Sequence, residues 1–139
     1  MNQKTNSQEV GRNLLVDLSG IQPSLLRDAD RLMHCLQASL ANAGFRVLRE
    51  VVHRFESGGE GITGIMILSE SHAAVHTYPE IGYLALDIFS CGTSDSVAVA
   101  DAMIAYLRPQ HIDIHQRARS VMSSHPTRAQ SPLASRSNP

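Results

Sequence analysis

Ser71 lies in the stretch Leu68-Ser69-Glu70-Ser71-His72-Ala73-Ala74-Val75-His76-Thr77-Tyr78-Pro79-Glu80, and its setting is that of a serine that is consumed. A hydroxyl that attacks the carbonyl of the residue before it can cut the backbone and leave a ketone at the new terminus. Such a ketone is a cofactor made from the chain itself, able to take up carbanion charge once it forms a Schiff base with a substrate amine. Two residues downstream suit the proton traffic. His76 can take and give protons near neutral pH, since an unperturbed imidazole titrates near 6.5. Cys91 carries a thiol, a usable general acid with an ordinary pKa of about 8.5. Taken singly, each residue has a plainer reading: Ser71 as a strand-end hydrogen bonder, His76 as a half-buried histidine, Cys91 as a small core side chain.

What the chain lacks narrows the chemistry. Pyridoxal phosphate works through a Schiff base to a lysine. Lys4 is the only lysine here, it sits in the polar stretch Met1 to Gln8, and no Gly-rich phosphate cradle of the P-loop or dinucleotide type is present. Twelve basic against thirteen acidic side chains give a formal charge of −1 without a basic stripe, which removes the electrostatic footprint of a nucleic-acid binder and points to a small-molecule partner. No apolar run approaches the roughly 18 residues of a membrane span, and no cationic N-terminal segment leads into an apolar one, so a cytoplasmic protein without membrane contact is expected. Cys35 and Cys91 are expected to be free thiols.

The elements that must position these residues read as one domain of α+β class. Asn13 to Leu18 is a short apolar strand between Gly11 and Gly20. From Pro23 to Ala43 apolar residues recur at three and four, with proline near the start and Gly44 past the end, which predicts a helix. Phe45 to Phe55 alternates as a strand, Glu56 to Gly61 is a glycine-rich turn, and Ile62 to Leu68 is a buried strand. Ala73 to Thr77 and Tyr83 to Phe89 follow as strands around a Pro79 to Gly82 turn. Ser94 or Asp95 caps a second helix through Leu107, and His111 to His115 is the last strand. The expected fold is a two-layer α/β sandwich, a mainly antiparallel sheet with two helices packed on one face. Residues 1–10 are expected to be a flexible start, 11–117 the domain, and 118–139 a disordered tail, too poor in large apolar residues to offset ordering entropy.

Together, Glu70-Ser71-His72, His76-Thr77-Tyr78-Pro79-Glu80 and Asp87-Ile88-Phe89-Ser90-Cys91-Gly92 resemble the signature of the prokaryotic pyruvoyl-dependent S-adenosylmethionine decarboxylases, proenzymes that cleave themselves before a serine. The resemblance extends to Gly11-Arg12-Asn13-Leu14-Leu15, His53-Arg54-Phe55, Thr63-Gly64 and the last strand, and so covers residues 11 to about 117. It implies cleavage between Glu70 and Ser71 through an ester, and a covalent pyruvoyl group derived from Ser71. His76 matches the residue that removes the proton during elimination, Thr63 a hydroxyl that assists processing, and Cys91 the acid that returns a proton to the substrate after CO₂ leaves. Phe55 and Tyr78 match aromatic positions beside the adenine, and Glu80 an acidic position near the ribose. A homodimer of cleaved protomers that makes the aminopropyl donor for spermidine and other polyamines is implied as well. Tyr78 stands where tryptophan is usual, Thr63 where serine is usual, and the Glu56 to Gly61 loop is about two residues longer than expected. Some relatives are thought to act on ornithine or arginine, which leaves that substrate as the alternative.

Two readings from other classes compete. His72 and His76, with Glu70 and Glu80 nearby, have a ligand-like spacing, but a histidine pair without a second cluster is a poor ligand set and no metal site is expected. An inactive scaffold would have no need to retain Ser71, His76 and Cys91 together.

Overall fold

The computed structural model describes residues 7–122. Its centre is a six-stranded sheet, antiparallel at each of its five pairings, in the order β2-β3-β4-β5-β1-β6. The strands are β1 (Ser7–Ser19), β2 (Val47–Arg54), β3 (Ile62–Leu68), β4 (Ser71–Tyr78), β5 (Tyr83–Ser90) and β6 (His111–Met122). Alternation decides which side is buried: Leu14, Val16 and Leu18 on β1, Ala73 and Val75 on β4, and Leu84, Leu86 and Ile88 on β5 share one face. They join the apolar residues of α2 (Ala29–Asn42) and α3 (Ser96–Leu107) in a single core.

The opposite face of the sheet is open. Residues in register across it form rows, one of which runs His53, Thr63, His76, Ala85, Asp17, Asp113 through all six strands. Beside this polar row the same face exposes Leu15 by 43%, Val51 by 58%, Ile65 by 39% and Ile67 by 46%.

Two expectations need correction. The helix predicted over 23–43 is two helices, α1 (Pro23–Arg27) and α2, broken at Asp28. Asp28 has left helical geometry, and its carboxylate accepts a hydrogen bond from Arg31 N at 3.2 Å, capping α2. Apolar periodicity runs through the break unchanged and so conceals it. The outer strands are also longer than predicted: β1 starts at Ser7 rather than Asn13, and β6 runs past His115 to Met122. Both therefore cross the expected domain limits at 11 and 117. Ser7 to Arg12 pairs with Ala118 to Met122 through backbone groups, which needs no apolar side chains. The remainder of the predicted termini, 1–6 and 123–139, lies outside the described residues.

Candidate active site

The predicted residues fall into two groups, one at each end of β4. At its start, β3 and β4 form a hairpin closed by the pair Leu68↔Ser71, with Ser69 and Glu70 as the turn. Glu70 has φ 61°, the left-handed region that a residue with a Cβ occupies at a cost of roughly 1–2 kcal/mol. The neighbouring strand brings Cys91 to this turn. His72 pairs with Phe89, so two residues beyond Phe89 the chain comes level with Glu70, two residues before His72. There the Cys91 thiol donates to the Glu70 carbonyl oxygen at 2.9 Å. The Ser71 hydroxyl makes only a long contact, 3.5 Å to Ser69 O, so little restrains it.

At the other end of β4, Thr63 and His76 are direct cross-strand partners, and Thr63 Oγ1 lies 3.1 Å from His76 Nδ1. Both border a cleft of about 250 Å³ that Phe55, Tyr78, Glu80 and the glycines at 58, 59 and 61 complete. This cleft gathers all five predicted residues of processing and substrate binding that lie outside the Ser71 turn. A larger recess of about 580 Å³, between the start of β1 and the first turn of α3, holds none of the predicted residues. Chemistry rather than volume selects the smaller one.

Ser71 and His76 are five positions apart on the strand, about 16 Å of backbone at strand rise. The two groups therefore do not meet within one chain. The same arithmetic disposes of the histidine pair as a chelate: His72 and His76, four apart, would be neighbours on a helix but are about 13 Å apart on β4.

Sequence reasoning gave no role to the polar chain beside Ser71. Asn13 Nδ2 donates to Asp87 Oδ1 at 3.1 Å, Arg119 donates to Asn13 Oδ1 at 2.8 Å, and His72 Nε2 lies 3.8 Å from Asp87 Oδ2. The His72 ring stacks on Phe89, centroids 6.1 Å apart. Polar residues at outward parity within otherwise apolar strands were the available signal for Asn13 and Asp87. Further along the open face, Tyr83 donates a hydrogen bond to Asp17, and this bond, aided by burial, pushes the Tyr83 phenol up to about 12.

Comparison with known proteins agrees with the motif. A family model described as S-adenosylmethionine decarboxylase matches residues 12–120. The chain is 34% identical over 114 residues to an S-adenosylmethionine decarboxylase proenzyme of Pelotomaculum thermopropionicum, covering 82% of this chain and 86% of that one. It is 30% identical over 118 residues to the proenzyme of Methanococcus maripaludis, covering 83% and 93%. Against S-adenosylmethionine decarboxylase proenzyme 2 of Bacillus cereus the identity is 35% over 112 residues, covering 80% and 89%. The fold is similar to the crystal structure of the adenosylmethionine decarboxylase from Aquifex aeolicus, with a TM-score of 0.74 at 23% identity over 87% of this chain and 99% of that one. The chain belongs to the S-adenosylmethionine decarboxylase family.

Proposed function

We propose that the protein is a self-processing, pyruvoyl-dependent S-adenosylmethionine decarboxylase that makes the aminopropyl donor for spermidine and other polyamines. The observation that carries this reading is the Cys91 thiol on the carbonyl oxygen of Glu70, directly before a Ser71 hydroxyl held only by a long 3.5 Å contact. In processing, Ser71 Oγ bonds to the Glu70 carbonyl carbon, the oxygen takes up negative charge, and the 70–71 C–N bond breaks to leave an ester. Cys91 donates to that oxygen where the charge develops. A base then removes the Ser71 α-proton, the Glu70 carboxylate leaves, and water replaces the nitrogen, which departs as ammonia. His76 is that base, with Thr63 holding its ring through the 3.1 Å contact. Breaking the bond also frees Glu70 from its left-handed backbone.

The residues fit the group that results. A pyruvoyl carbonyl at residue 71 supplies an electron sink for the charge left when the substrate loses CO₂. Cys91, already beside that position, returns a proton to the substrate carbon. Phe55 and Tyr78 present π-faces to the adenine and the cationic sulfonium, and Glu80 accepts from ribose hydroxyls.

The separation of about 16 Å along β4 makes the site a shared one. A two-fold axis running between two such sheets, across the strand direction and over the middle of β4 between Ala73 and Ala74, with open faces together, sets the His76 end of one copy against the Ser71 end of the other. Exposed Leu15, Val51, Ile65 and Ile67 supply apolar surface for that homodimer. The single buried face of each sheet supports the two-layer arrangement of each protomer. Among the described residues no helix is long and apolar enough to cross a membrane.

Mass spectrometry of denatured protein tests the reading. Two chains, 1–70 and 71–139, are expected, together with CO₂ release from carboxyl-labelled S-adenosylmethionine well above that from ornithine or arginine. An uncut 15.2 kDa chain in a preparation that turns over substrate would refute the pyruvoyl model.

A further inference from the structure

The loop between β2 and β3 forms one wall of the substrate cleft, and it is held from outside the cleft by α1. Its neck closes with Phe55 N donating to Gly61 O at 2.9 Å. Within it Gly58 and Glu60 have φ 71° and 59°. Arg27, the last residue of α1, donates from Nε to Gly59 O at 3.1 Å and lies 3.8 Å from Glu60 Oε2. The preceding residue of α1 is tied to the cleft floor: the buried Thr77 hydroxyl donates to Leu26 O at 3.0 Å and accepts from Ile62 N at 2.9 Å. One short helix thus holds both wall and floor.

Gly59 transmits this hold to the ligand side. A Cβ there would run into the Glu80 carboxylate, and one at Gly61 would run into the Thr77 carbonyl. Gly59 does not have left-handed backbone, so its missing side chain serves space rather than conformation. Arg27 pairs with Glu60 rather than with Glu80, which leaves the Glu80 oxygens available to donors in the cleft.

We propose that Arg27 and Gly59 are positioning residues that fix the Glu80 carboxylate against the cleft, and so set affinity for the hydroxyl-bearing ribosyl end of the substrate without touching its chemistry. This rests on Glu80 being a substrate contact, as proposed above.

The test uses the full-length, processed protein with Arg27→Ala, Arg27→Lys, Gly59→Ala and Glu80→Gln. Arg27→Ala should raise KM about fivefold and Gly59→Ala about tenfold, the scale of one weakened charge-assisted hydrogen bond, with kcat within about twofold of wild type. Arg27→Lys, which keeps a donor for Gly59 O, should recover most of the loss. Arg27→Ala combined with Glu80→Gln should cost no more than Glu80→Gln alone, a non-additivity that general loosening would not give. Unchanged KM in Arg27→Ala and Gly59→Ala, or additive losses, would overturn the clamp while leaving the functional reading intact. If wild-type protein fails to turn over S-adenosylmethionine, the functional reading falls instead. Limited proteolysis within 56–61 then judges the clamp: faster cutting in Arg27→Ala supports it, and cutting at the wild-type rate overturns it.

Discussion

Replacing Cys91 by alanine removes one donor from the Glu70 carbonyl oxygen and, in the proposed mechanism, one acid from the decarboxylation step, and the two losses can be read apart. The 2.9 Å contact is aimed at the oxygen that, in the proposed cleavage, becomes negatively charged as Ser71 attacks. Removing one preorganised donor of this kind typically costs 10² to 10³ in rate, and a thiol is a weak donor, so about 10² is expected for chain cleavage. At 1.36 kcal/mol per factor of ten that is about 2.7 kcal/mol. The assay follows loss of the 15.2 kDa chain by mass spectrometry after synthesis, then measures turnover of whatever has been cut. Cys91→Ser restores a donor and should recover much of the cleavage, whereas its hydroxyl is a far weaker acid and should leave turnover about 10² to 10⁴ below wild type. Cleavage of Cys91→Ala at the wild-type rate would refute any part for the thiol in processing.

The strain at Glu70 gives a second expectation: Glu70→Gly, which accepts φ 61° freely, should cleave about fivefold more slowly, because roughly 1 kcal/mol of relief is no longer available to the reaction. Cleavage at or above the wild-type rate would remove strain from the account. For Tyr83 the folded phenol titrates at about 12, above its ordinary value of about 10, so the bond to Asp17 stabilises the fold below pH ~10 and is lost as pH rises toward ~12. The urea midpoint of wild type should fall through that window while Tyr83→Phe stays flatter; parallel curves would contradict the assignment. Burial pushes the Cys35 thiol up, with the Ser39 contact offsetting part of the effect, so in Cys91→Ala protein iodoacetamide should label Cys35 more slowly than a free cysteine near neutral pH.

Most of what the sequence disclosed came from periodicity and spacing. Ile62–Leu68 is the predicted strand to the residue, because its apolar run is bounded by glycine before and by the Ser69-Glu70 turn after. Ser71, His76 and Cys91 stood out as a pattern of types at fixed separations, and of these the structure sets Cys91 against Glu70 beside Ser71 while His76 lies toward the far end of β4. What stayed hidden has physical causes. The break at Asp28 interrupts backbone geometry without interrupting the apolar stripe. The outer ends of β1 and β6 pair through amides, which leave no mark on side-chain pattern. Arg27 and Thr77 act on the cleft from 32 and 15 residues away, on Gly59 and Ile62 respectively, and one chain gives no signal for such pairings. Ser71 and His76, by contrast, were already set apart by the predicted strand over Ala73 to Thr77, and β4 holds them five positions from one another.

That separation turns an ordinary mutational question into one about assembly. If the site draws Ser71 and Cys91 from one protomer and Thr63 and His76 from the other, then His76→Ala and Cys91→Ala damage different halves of each site. Each homodimer then carries two defective sites. A heterodimer of the two variants instead has one site with both lesions and one with neither, since the His76→Ala chain supplies an intact Cys91 and the Cys91→Ala chain an intact His76. With random pairing about half of the dimers are mixed, and one of two sites in each is whole, so co-expression should restore about a quarter of wild-type turnover. Mixing already folded homodimers should restore it only as fast as subunits exchange. A site built within one chain predicts no recovery under either protocol, because both variants would then be damaged in the same place. Absence of recovery in co-expressed protein whose mixed dimers are demonstrated by mass would overturn the shared site, and would require β4 to bend far enough to bring its two ends together.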